Sequence, residues 1–335
     1  MLPRRISGMK VIVQIPCFNE EATLPQTLAD IPRQIDGVDR VEVLVIDDGS
    51  TDATADVARR HGADHVVRHA RNQGLGRAFR TGLDTALRLG ADIVVNTDAD
   101  NQYAGSAIPA LIRPILEGRA EIVVGDRRTD EVAHFSAGKK RLQRLGSRVV
   151  RWLSGTTVPD AVSGFRALSR PAALRLNIVS SFSYTIEMLI QAGKERMAVV
   201  SVPVPVNPKT RESRLFRSVP QFLLQSLKTL VRTYTMYKPL RVFTFLGLTL
   251  LIAGVLPVAR FLYFFFLGQG NGHVQSLVLG GVLVVAGFMS LLIGVVADLI
   301  AFNRTLLEVL LEKVRRLEAA QAAAPSSSGP PEPDL

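Results

Sequence analysis

The chain has 335 residues, of which 47% are apolar, and this is enough for a substantial core in one or two domains. Its formal net charge of +10 is compatible with nucleic acid, anionic lipid or phosphorylated ligands as partners. No nucleic-acid-binding motif accompanies the charge, so we do not expect nucleic acid as a partner. The single cysteine, Cys17, excludes an internal disulfide and fits a reducing compartment.

Short apolar segments alternate with helical segments through the first half of the chain. The predicted strands are KVIVQIP, VEVLVID, HVVRH, DIVVNTD and EIVVGD. Such alternation predicts parallel strands joined by right-handed crossovers, and hence an open α/β sheet with helices on both faces. Ligands of these sheets bind at the carboxyl ends of the strands.

Polar clusters follow the predicted strands: PCFNEE at 16–21, DDGSTD at 47–52, DADNQ at 98–102 and GDRR at 125–128. Asp98 and Asp100 come after an apolar run. Because alternate residues of an extended chain face the same side, we expect both carboxylates to face one spot. Gln102 continues this alternation and adds a carbonyl oxygen. These three oxygen ligands predict a site for Mg²⁺ or Mn²⁺ that leaves room for a substrate phosphate.

Two consecutive acids, Asp47 and Asp48, close the second predicted strand, and Asn19 and Glu20 follow the first. A structural turn accounts for the glycine and serine after Asp48, but not for two acids at a ligand-facing edge. Such acids can hold ribose hydroxyls or a base. The G-x-G of NQGLGRA (72–78) lacks both the Walker pattern and the full dinucleotide pattern, so it does not predict a nucleoside-triphosphatase or NAD site.

The pattern becomes less regular after Gly155. The segment VVSVPVPV is interrupted by proline, which favours a strand at a sheet edge. Residues 215–240 mix apolar, basic and aromatic side chains and predict helices that lie in a membrane interface; an ordinary amphipathic helix of the domain is the alternative. We expect the last residues, which are rich in Ala, Ser and Pro, to be disordered.

Two long apolar stretches lie between residues 241 and 303, separated by the uncharged GQGNGH. Each exceeds the about 20 residues that cross a bilayer, so we expect a transmembrane hairpin rather than a buried soluble one. Basic residues flank its outer ends and the loop has no Lys or Arg, so the positive-inside rule places both termini in the cytosol. We expect the hairpin to anchor the protein and to offer a homo-oligomer contact.

The clusters PCFNEE, DDGSTD, NQGLGRA, DADNQ and GDRR occur in the order and spacing of glycosyltransferase family 2, which the chain resembles over about residues 9–302. DAVSGFRALSR (160–170), TIEML (185–189) and the apolar spans are similar to the branch typified by dolichol-phosphate mannose synthase and bacterial polyprenyl-phosphate glucosyltransferases. The resemblance implies the GT-A fold, a Rossmann-like open mixed sheet, in a membrane enzyme of cell-envelope glycan biosynthesis.

We therefore expect four regions along the chain. They are a cytosolic GT-A domain over 1–214, interfacial helices over 215–240, two transmembrane helices over 241–303, and a cytosolic helix with a disordered tail over 304–335.

The resemblance implies metal-dependent, inverting transfer of a sugar from a UDP- or GDP-linked donor to polyprenyl phosphate at the cytosolic membrane face. The Q-x-x-R-W motif of processive relatives does not occur in the sequence, which favours transfer of a single sugar. The metal at Asp98, Asp100 and Gln102 would bridge the donor's diphosphate. The residues implied for nucleotide-sugar binding are Pro16, Asn19, Glu20, Asp47, Asp48, Asp98 and Ala99.

The candidates for catalysis are Asp100, Arg127 and Glu187. The candidates for gripping the acceptor phosphate are Arg127, Lys140, Arg144, Ser147 and Arg166. Two positions depart from the family pattern. Asn101 stands where many relatives have Gly or Leu, and we expect little effect because position 101 points away from its neighbours. KTRESRLF (209–216) replaces a Gly-Ser-Lys-type loop, which leaves the sugar and acceptor open.

The acceptor decides whether a general base is needed. A phosphate monoester is largely dianionic at neutral pH, so its attack needs none. A lipid hydroxyl, such as that of diacylglycerol, would need one, and Glu187 is the candidate. Alternatively, Glu187 orients Arg166 or another pocket cation. A noncatalytic membrane adaptor with this fold is the competing class, but an adaptor would not need the complete metal and nucleotide sets.

Overall fold

The computed structural model describes residues 8–127, 153–179, 184–207 and 234–323, with positions 148, 150, 151, 228, 231 and 232. The chain divides into two compact units, Met1–Ser226 with Leu310–Leu335, and Leu227–Val309. Most of the predicted interfacial region and the predicted disordered tail lie outside the described residues, so both stay predictions.

A mixed β-sheet forms the centre of the first unit. Its strands are β1 (Lys10–Cys17), β2 (Arg40–Asp47), β3 (His65–Arg68), β4 (Ile93–Asn96), β5 (Ile122–Asp126), β6 (Arg166–Ser169) and β7 (Val199–Pro203). Within the described ranges the strand order is β3-β2-β1-β4-β6-β5-β7. β1 lies parallel to β2 and β4, and β2 lies parallel to β3, as the alternation predicts. The predicted open mixed α/β sheet is confirmed.

Helices cover the two faces of the sheet. They are α1 (Leu24–Asp30), α2 (Thr54–Arg60), α3 (Leu75–Arg88), α4 (Ile108–Leu116), α5 (Arg170–Arg175) and α6 (Thr185–Lys194). Val11, Val13 and Ile15 of β1 pack in one apolar cluster with residues of α1, α2 and α4. Gly82 of α3 lies against the intervening Gln14. Both faces of the central strands are therefore buried, which explains their nearly continuous apolar sequence.

Strand β6 was not predicted from the sequence. It runs antiparallel between β4 and β5, and Arg166 pairs with both Asn96 and Val124. The four residues of β6, RALS, contain one large apolar side chain and show no alternation long enough to predict a strand. β7 lies parallel to β5 at the edge of the sheet, so the predicted edge position of the proline-interrupted segment is confirmed.

The second unit contains a pair of long apolar helices. α7 (Pro239–Phe266) and the longer α8 (Val274–Ala323), which continues beyond this unit, are joined through a short 3₁₀ turn. Among the described residues, these are the two helices that are long and apolar enough to cross a membrane. The 28 residues of α7 span about 42 Å, more than a hydrocarbon core of about 30 Å. Large side chains such as Phe245 and Phe266 are exposed on the hairpin, as expected for a lipid-facing surface.

Glycines bring α7 and α8 into close contact. A Cβ at Gly254 would lie 2.8 Å from the backbone nitrogen of Val284 and 2.9 Å from the carbonyl oxygen of Gly280. The same kind of contact occurs seven residues away on each helix. A Cβ at Gly247 would lie 2.9 Å from the carbonyl oxygen of Gly287, and a Cβ at Gly287 would lie 2.9 Å from that of Gly247. Small residues at such contacts let two helix backbones approach closely, so the hairpin is packed by backbone proximity.

The last turns of α8 belong to the first unit and contact its sheet-covering helices. Arg315 is buried, and its Nη1 donates to the carbonyl oxygen of Leu176 at 2.6 Å, just after α5. Its Nη2 lies 2.9 Å from a carboxylate oxygen of Asp84 on α3. Arg315 thereby caps α5 and joins the C-terminal end of α8 to α3.

Candidate active site

The predicted polar clusters meet at one edge of the sheet. β1, β2 and β4 are parallel neighbours and end at Cys17, Asp47 and Asn96, so the loops after them are adjacent. Pro16 is buried in β1 and pairs with Ile46 of β2. The pairing of β1 with β4 ends at Gln14, so the missing N–H of Pro16 falls where no ladder to β4 continues.

The loops after β1 and β2 are joined by reciprocal hydrogen bonds. The backbone N–H of Asn19 donates to Ser50 Oγ at 2.9 Å, and Asn19 Oδ1 accepts from the N–H of Thr51 at 2.8 Å. The N–H of Glu20 donates to Thr54 Oγ1 at 2.8 Å. Asn19 has a φ of 56°, a left-handed conformation that Asn tolerates better than most residues. These bonds fix two of the residues predicted to line the nucleoside pocket.

The consecutive acids Asp47 and Asp48 are buried, and their carboxylates contact different segments of the chain. Asp47 Oδ1 accepts from the N–H of Ser50 at 2.8 Å, and Arg68 Nε lies 3.1 Å from its other oxygen. Asp48 accepts from the N–H groups of Gln73 and Gly74 at 2.9 and 2.8 Å. Asp48 therefore ties the strand end to the NQGLG loop that precedes α3.

Two further features hold this acidic turn. Gly49 has a φ of 71°, and a Cβ there would lie 2.4 Å from the carbonyl carbon of Arg71, so glycine is required. His69 Nδ1 lies 2.7 Å from Asp48 Oδ1, and the His69 side chain is 9% exposed. Sequence reasoning missed His69 because it stands outside the motifs; only the parallel register of β2 with β3 places it beside Asp48.

The DADNQ cluster forms a turn, and the prediction that strand geometry continues through it is wrong. β4 ends at Asn96, and Asn101 has a left-handed φ of 55°. The N–H of Gln102 donates to Asp100 Oδ1 at 3.1 Å, which closes the turn. Asp98 and Asp100 nevertheless lie close enough to interact electrostatically. The turn, rather than strand alternation, brings the two carboxylates together.

The charge of Asp98 is disfavoured by its surroundings. Burial, followed by the neighbouring Asp100, raises the pKa of Asp98 to about 7, although Arg127 acts in the opposite direction. A Cβ on Gly164 would lie 2.8 Å from Asp98 Oδ1, so the backbone of the S-G-F-R motif backs directly on this carboxylate. Ala99 is buried between the two acids, and its carbonyl oxygen accepts from Thr27 Oγ1 at 3.0 Å.

Among the described residues, no group of three or more His, Cys, Asp or Glu side chains converges as a metal site. The predicted set consists of two carboxylates and the amide of Gln102, so it would not form such a group. Three protein oxygens leave further coordination positions for substrate oxygens, as is usual for Mg²⁺.

Arg127 and Asp160 form a bidentate ion pair. Arg127 Nε donates to Asp160 Oδ2 at 2.7 Å, and Nη2 donates to Oδ1 at 3.0 Å. The guanidinium also lies 5.9 Å from the centre of the Tyr103 ring. Burial opposes the charge of Arg127, but Tyr103 and Asp160 outweigh it, so the net effect raises the pKa. Sequence reasoning did not identify Asp160 as the partner of Arg127.

Arg166 is fully buried. Its guanidinium donates to the carbonyl oxygens of Ser163, Ala161 and Thr185 at 2.9, 2.8 and 2.8 Å. These main-chain partners favour a structural role for Arg166 over the predicted contact with the acceptor phosphate.

Glu187 is buried on α6. Its two carboxylate oxygens accept from the N–H of Val179 at 3.2 and 3.3 Å. The alternative role of Glu187, orienting Arg166 or another pocket cation, stays a prediction. The predicted acceptor residues Lys140, Arg144 and Ser147 lie outside the described residues.

A buried polar network links the middle of the sheet to the S-G-F-R motif. Gln14 Nε2 donates to Asn96 Oδ1 at 3.0 Å, and Asn96 Nδ2 donates to Tyr184 Oη at 2.7 Å. Tyr184 in turn stacks on Phe79, with ring centres 3.9 Å apart. Because these residues are far apart in the chain, no local motif could have revealed the network.

Comparison with known proteins places this geometry in a family. The model of glycosyl transferase family 2 matches residues 12–176. An uncharacterised glycosyltransferase of Mycobacterium tuberculosis is 34% identical over 210 residues, which cover 61% of this chain and 88% of the relative. The chain belongs to glycosyltransferase family 2.

The branch of this family 2 enzyme is indicated by a further relative. The undecaprenyl-phosphate mannosyltransferase of Micrococcus luteus is 30% identical over 206 residues, which cover 58% of this chain and 83% of the relative. The predicted similarity to the polyprenyl-phosphate branch is therefore confirmed.

The fold of this family 2 enzyme also matches a solved structure. Glucosyl-3-phosphoglycerate synthase from Mycobacterium tuberculosis, in complex with Mn²⁺, UDP-glucose and phosphoglyceric acid, superposes with a TM-score of 0.55 at 27% identity. The match covers 68% of this chain and 79% of that structure. The predicted GT-A architecture is confirmed.

Proposed function

We propose that this enzyme transfers a single sugar, with inversion, from a UDP- or GDP-sugar to polyprenyl phosphate at the cytosolic face of a membrane. The observation that carries the proposal is that Asp98 interacts electrostatically with Asp100, with Glu20 in the loop after β1 and with Arg127, which is paired with Asp160. The carboxylates could hold a divalent cation that binds the donor's diphosphate, and the Arg127 guanidinium could bind a phosphate.

The Asp98–Asp100 pair fits a divalent cation. Burial and the adjacent carboxylate disfavour the charge of Asp98, and a cation between the two acids would favour the ionised forms. The carboxylates and the Gln102 amide are hard oxygen ligands suited to Mg²⁺ or Mn²⁺. When bound, such an ion would offset the negative charge of the departing nucleoside diphosphate. The complex of the solved relative with Mn²⁺ and UDP-glucose supports this assignment.

Residues of the interlocked loops would hold the nucleoside part of the donor. We assign Pro16, Asn19, Glu20, Asp47, Asp48 and Ala99 to this pocket. Asp48 would act mainly by fixing the NQGLG loop, because its carboxylate accepts two backbone N–H bonds from Gln73 and Gly74. The pocket is therefore preorganised, which lowers the entropic cost of donor binding.

On the acceptor side, Arg127 would contact a phosphate while Asp160 holds its guanidinium in place. A phosphate monoester is already largely dianionic at neutral pH, so one of its oxygens can attack the anomeric carbon directly. Displacement from the opposite side breaks the bond to the nucleoside diphosphate and inverts the configuration. The protein then contributes positioning and charge stabilisation, and Glu187 need not act as a base.

The apolar hairpin supports a lipid acceptor. α7 and α8 are long and apolar enough to span a membrane, and the basic residues at their outer ends favour a cytosolic catalytic domain and cytosolic termini. The relative named undecaprenyl-phosphate mannosyltransferase supports the same acceptor class. A small phosphorylated acceptor is the second candidate, because the solved relative was captured with phosphoglyceric acid.

The test is transfer by the detergent-purified protein, with Mg²⁺ or Mn²⁺, from labelled UDP- and GDP-sugars to polyprenyl phosphate. Diacylglycerol and 3-phosphoglycerate serve as alternative acceptors. We expect a polyprenyl-phospho-sugar that disappears with EDTA and in Asp100→Ala. Asp56→Ala is the matched control, because Asp56 is 73% exposed on α2.

Each acceptor arm gives a separate result. Product only on diacylglycerol would show that the acceptor is a hydroxyl group, whose attack would need a general base such as Glu187. Product only on 3-phosphoglycerate would refute the lipid acceptor while retaining the glycosyl transfer.

A further inference from the structure

We infer that Asn207 is a positioning residue that clamps the DADNQ turn, residues 98–102, in the shape needed to bind the divalent cation. This inference rests on the proposed function, since it assigns Asn207 a role in the same site. Asn207 follows β7 and is more than one hundred residues from the turn, so no motif points to it.

The clamp consists of two hydrogen bonds from one residue. Asn207 Nδ2 donates to the carbonyl oxygen of Asn101 at 3.1 Å. The backbone N–H of Asn207 donates to the carbonyl oxygen of Gln102 at 2.9 Å. The preceding residue, Val206, forms an antiparallel bridge with Tyr103. Asn207 therefore holds the consecutive carbonyl groups of Asn101 and Gln102, which directly follow the proposed ligand Asp100.

The conformation of Asn101 explains why a clamp is needed. Asn101 has a φ of 55° and is buried. Asn tolerates the left-handed conformation better than most residues, but it still costs free energy relative to a right-handed one, so contacts from the surroundings help to hold the turn. Relaxation at Asn101 would change the position of Asp100 relative to Gln102, which flank it in the chain.

A second element holds the same turn from the other side. Thr27 on α1 donates from Oγ1 to the carbonyl oxygen of Ala99 at 3.0 Å. Carbonyls on both sides of Asp100 are thus fixed by side chains from separate parts of the fold, while its carboxylate closes the turn through the N–H of Gln102. This arrangement matches the outer partners that orient metal ligands in proteins.

The segment that carries Asn207 also connects the turn to the position of Arg127. Pro203 of β7 pairs with Asp126, and the N–H of Val204 donates to the carbonyl oxygen of Asp126 at 2.9 Å. Arg127 is the next residue. One short segment, 203–207, therefore runs from the residue beside Arg127 to the metal turn and sets the spacing between them.

The experiment measures Mn²⁺ binding by the loss of the free-ion signal in electron paramagnetic resonance, at a fixed UDP concentration and relative to a matched titration of UDP without protein. Asn207→Ala removes the side-chain bond and keeps the backbone bond. Thr27→Val removes the bond from the other side at nearly constant volume. Asn303→Ala is the matched control, because Asn303 is an exposed Asn on α8. The melting temperature of each variant without metal is measured in parallel.

We expect the Mn²⁺ dissociation constant to rise about tenfold in Asn207→Ala and in Thr27→Val, and to stay unchanged in Asn303→Ala. A lower melting temperature with unchanged Mn²⁺ affinity in both variants would show a purely structural role and overturn the inference. If the wild-type protein binds no Mn²⁺ with UDP present, the metal assignment of the proposed function fails instead.

Discussion

Gly164 lies against the carboxylate of Asp98, so that a Cβ at this position would be 2.8 Å from Oδ1 and 2.9 Å from Oδ2. The backbone of Gly164 is held in place by its own partners. Its N–H donates to Tyr103 Oη at 3.0 Å, and its carbonyl oxygen accepts from Asn96 Nδ2 and Tyr184 Oη, each at 2.9 Å. Because these three hydrogen bonds hold the backbone of Gly164 in place, Gly164 limits where the Asp98 carboxylate can lie.

Replacement of this glycine tests that relationship. In Gly164→Ala we expect the new methyl group to displace Asp98 and to lower the turnover number about a hundredfold, since small misplacements in an active site have effects of this size. Gly281→Ala is the control, because a Cβ at Gly281 meets no atom within 4 Å. Sugar transfer is measured for both variants, and wild-type turnover in Gly164→Ala would contradict the proposed position of Asp98.

The Arg127–Asp160 ion pair gives a prediction about stability. Asp160→Asn leaves the guanidinium of Arg127, whose side chain is only 14% exposed, without its counter-charge, so we expect the free energy of unfolding to fall by about 3 kcal/mol. The exposed pair Arg59–Asp56 is the control, with side chains 58% and 73% exposed, and Asp56→Asn should change stability by less than about 1 kcal/mol.

A double-mutant cycle isolates the coupling between Arg127 and Asp160. We expect Arg127→Met combined with Asp160→Asn to be more stable than the sum of the single changes predicts, because the unpaired charge is removed. Chemical unfolding in detergent measures all three variants. Strict additivity would show that the two side chains do not depend on each other.

The predicted parts of the fold are those with a strong local pattern. β1, β2, β4 and β5 are apolar runs that end in polar clusters, so their positions and the edge at which the clusters meet followed from the sequence. β6 is four residues long and begins with Arg166, whose burial depends on carbonyls from residues 161–163 and on α6. These hydrogen-bond partners of the Arg166 guanidinium come from tertiary structure, so the sequence of β6 shows no periodic pattern that would predict the strand.

The same distinction applies within the site. Asp98 and Asp100 were predicted as a pair from strand alternation, yet the chain turns after Asn96 and the pair forms for another reason. The partnerships of Arg127 with Asp160 and of Asn101 with Asn207 join distant segments, and spacing in the sequence gives no measure of that distance. Sequence motifs pointed to the candidate site residues Asp98, Asp100 and Arg127, but not to the residues that hold them in place.

The glycine contacts of the hairpin predict a large effect from one substitution. Gly254→Leu places a side chain where a Cβ alone would be 2.8 Å from the backbone of Val284. We expect α7 and α8 to separate locally and the melting temperature in detergent to fall, with a cost of about 1–3 kcal/mol. Gly281→Leu adds the same side chain at an open position and should leave the melting temperature nearly unchanged. Equal effects would show that the glycine contacts do not pack the hairpin.

The single cysteine should be unreactive in the folded protein. Burial, followed by the nearby carboxylates of Glu20 and Asp47, raises the pKa of the Cys17 thiol well above its usual value. The reactive thiolate is therefore scarce at pH 8. We expect no reaction with a disulfide reagent such as DTNB until the protein is unfolded in guanidinium, when one thiol per chain reacts. Rapid labelling of the native protein would contradict the buried position of Cys17 in β1.

A carboxylate at the opposite end of the sheet predicts a pH dependence of stability. Glu42 on β2 is buried and lies 2.8 Å from Lys10 Nζ, 2.6 Å from Arg40 Nε and 2.9 Å from His65 Nε2. Burial disfavours its charge, but the hydrogen bonds from Lys10 and His65 outweigh burial and lower the pKa of Glu42. The ionised form is therefore favoured more strongly in the folded chain than in the unfolded chain, where the pKa is about 4.3.

Because the folded pKa is lowered, the contribution of Glu42 is complete above the unfolded pKa and is lost as the pH falls through the folded pKa. We expect Glu42→Gln to reduce the free energy of unfolding by about 2 kcal/mol at pH 7, and the difference from wild type to shrink steadily below pH 4. Unfolding curves of both proteins between pH 3 and pH 7 measure this difference. A difference that is constant over the whole range would show that Glu42 contributes through packing rather than through its charge.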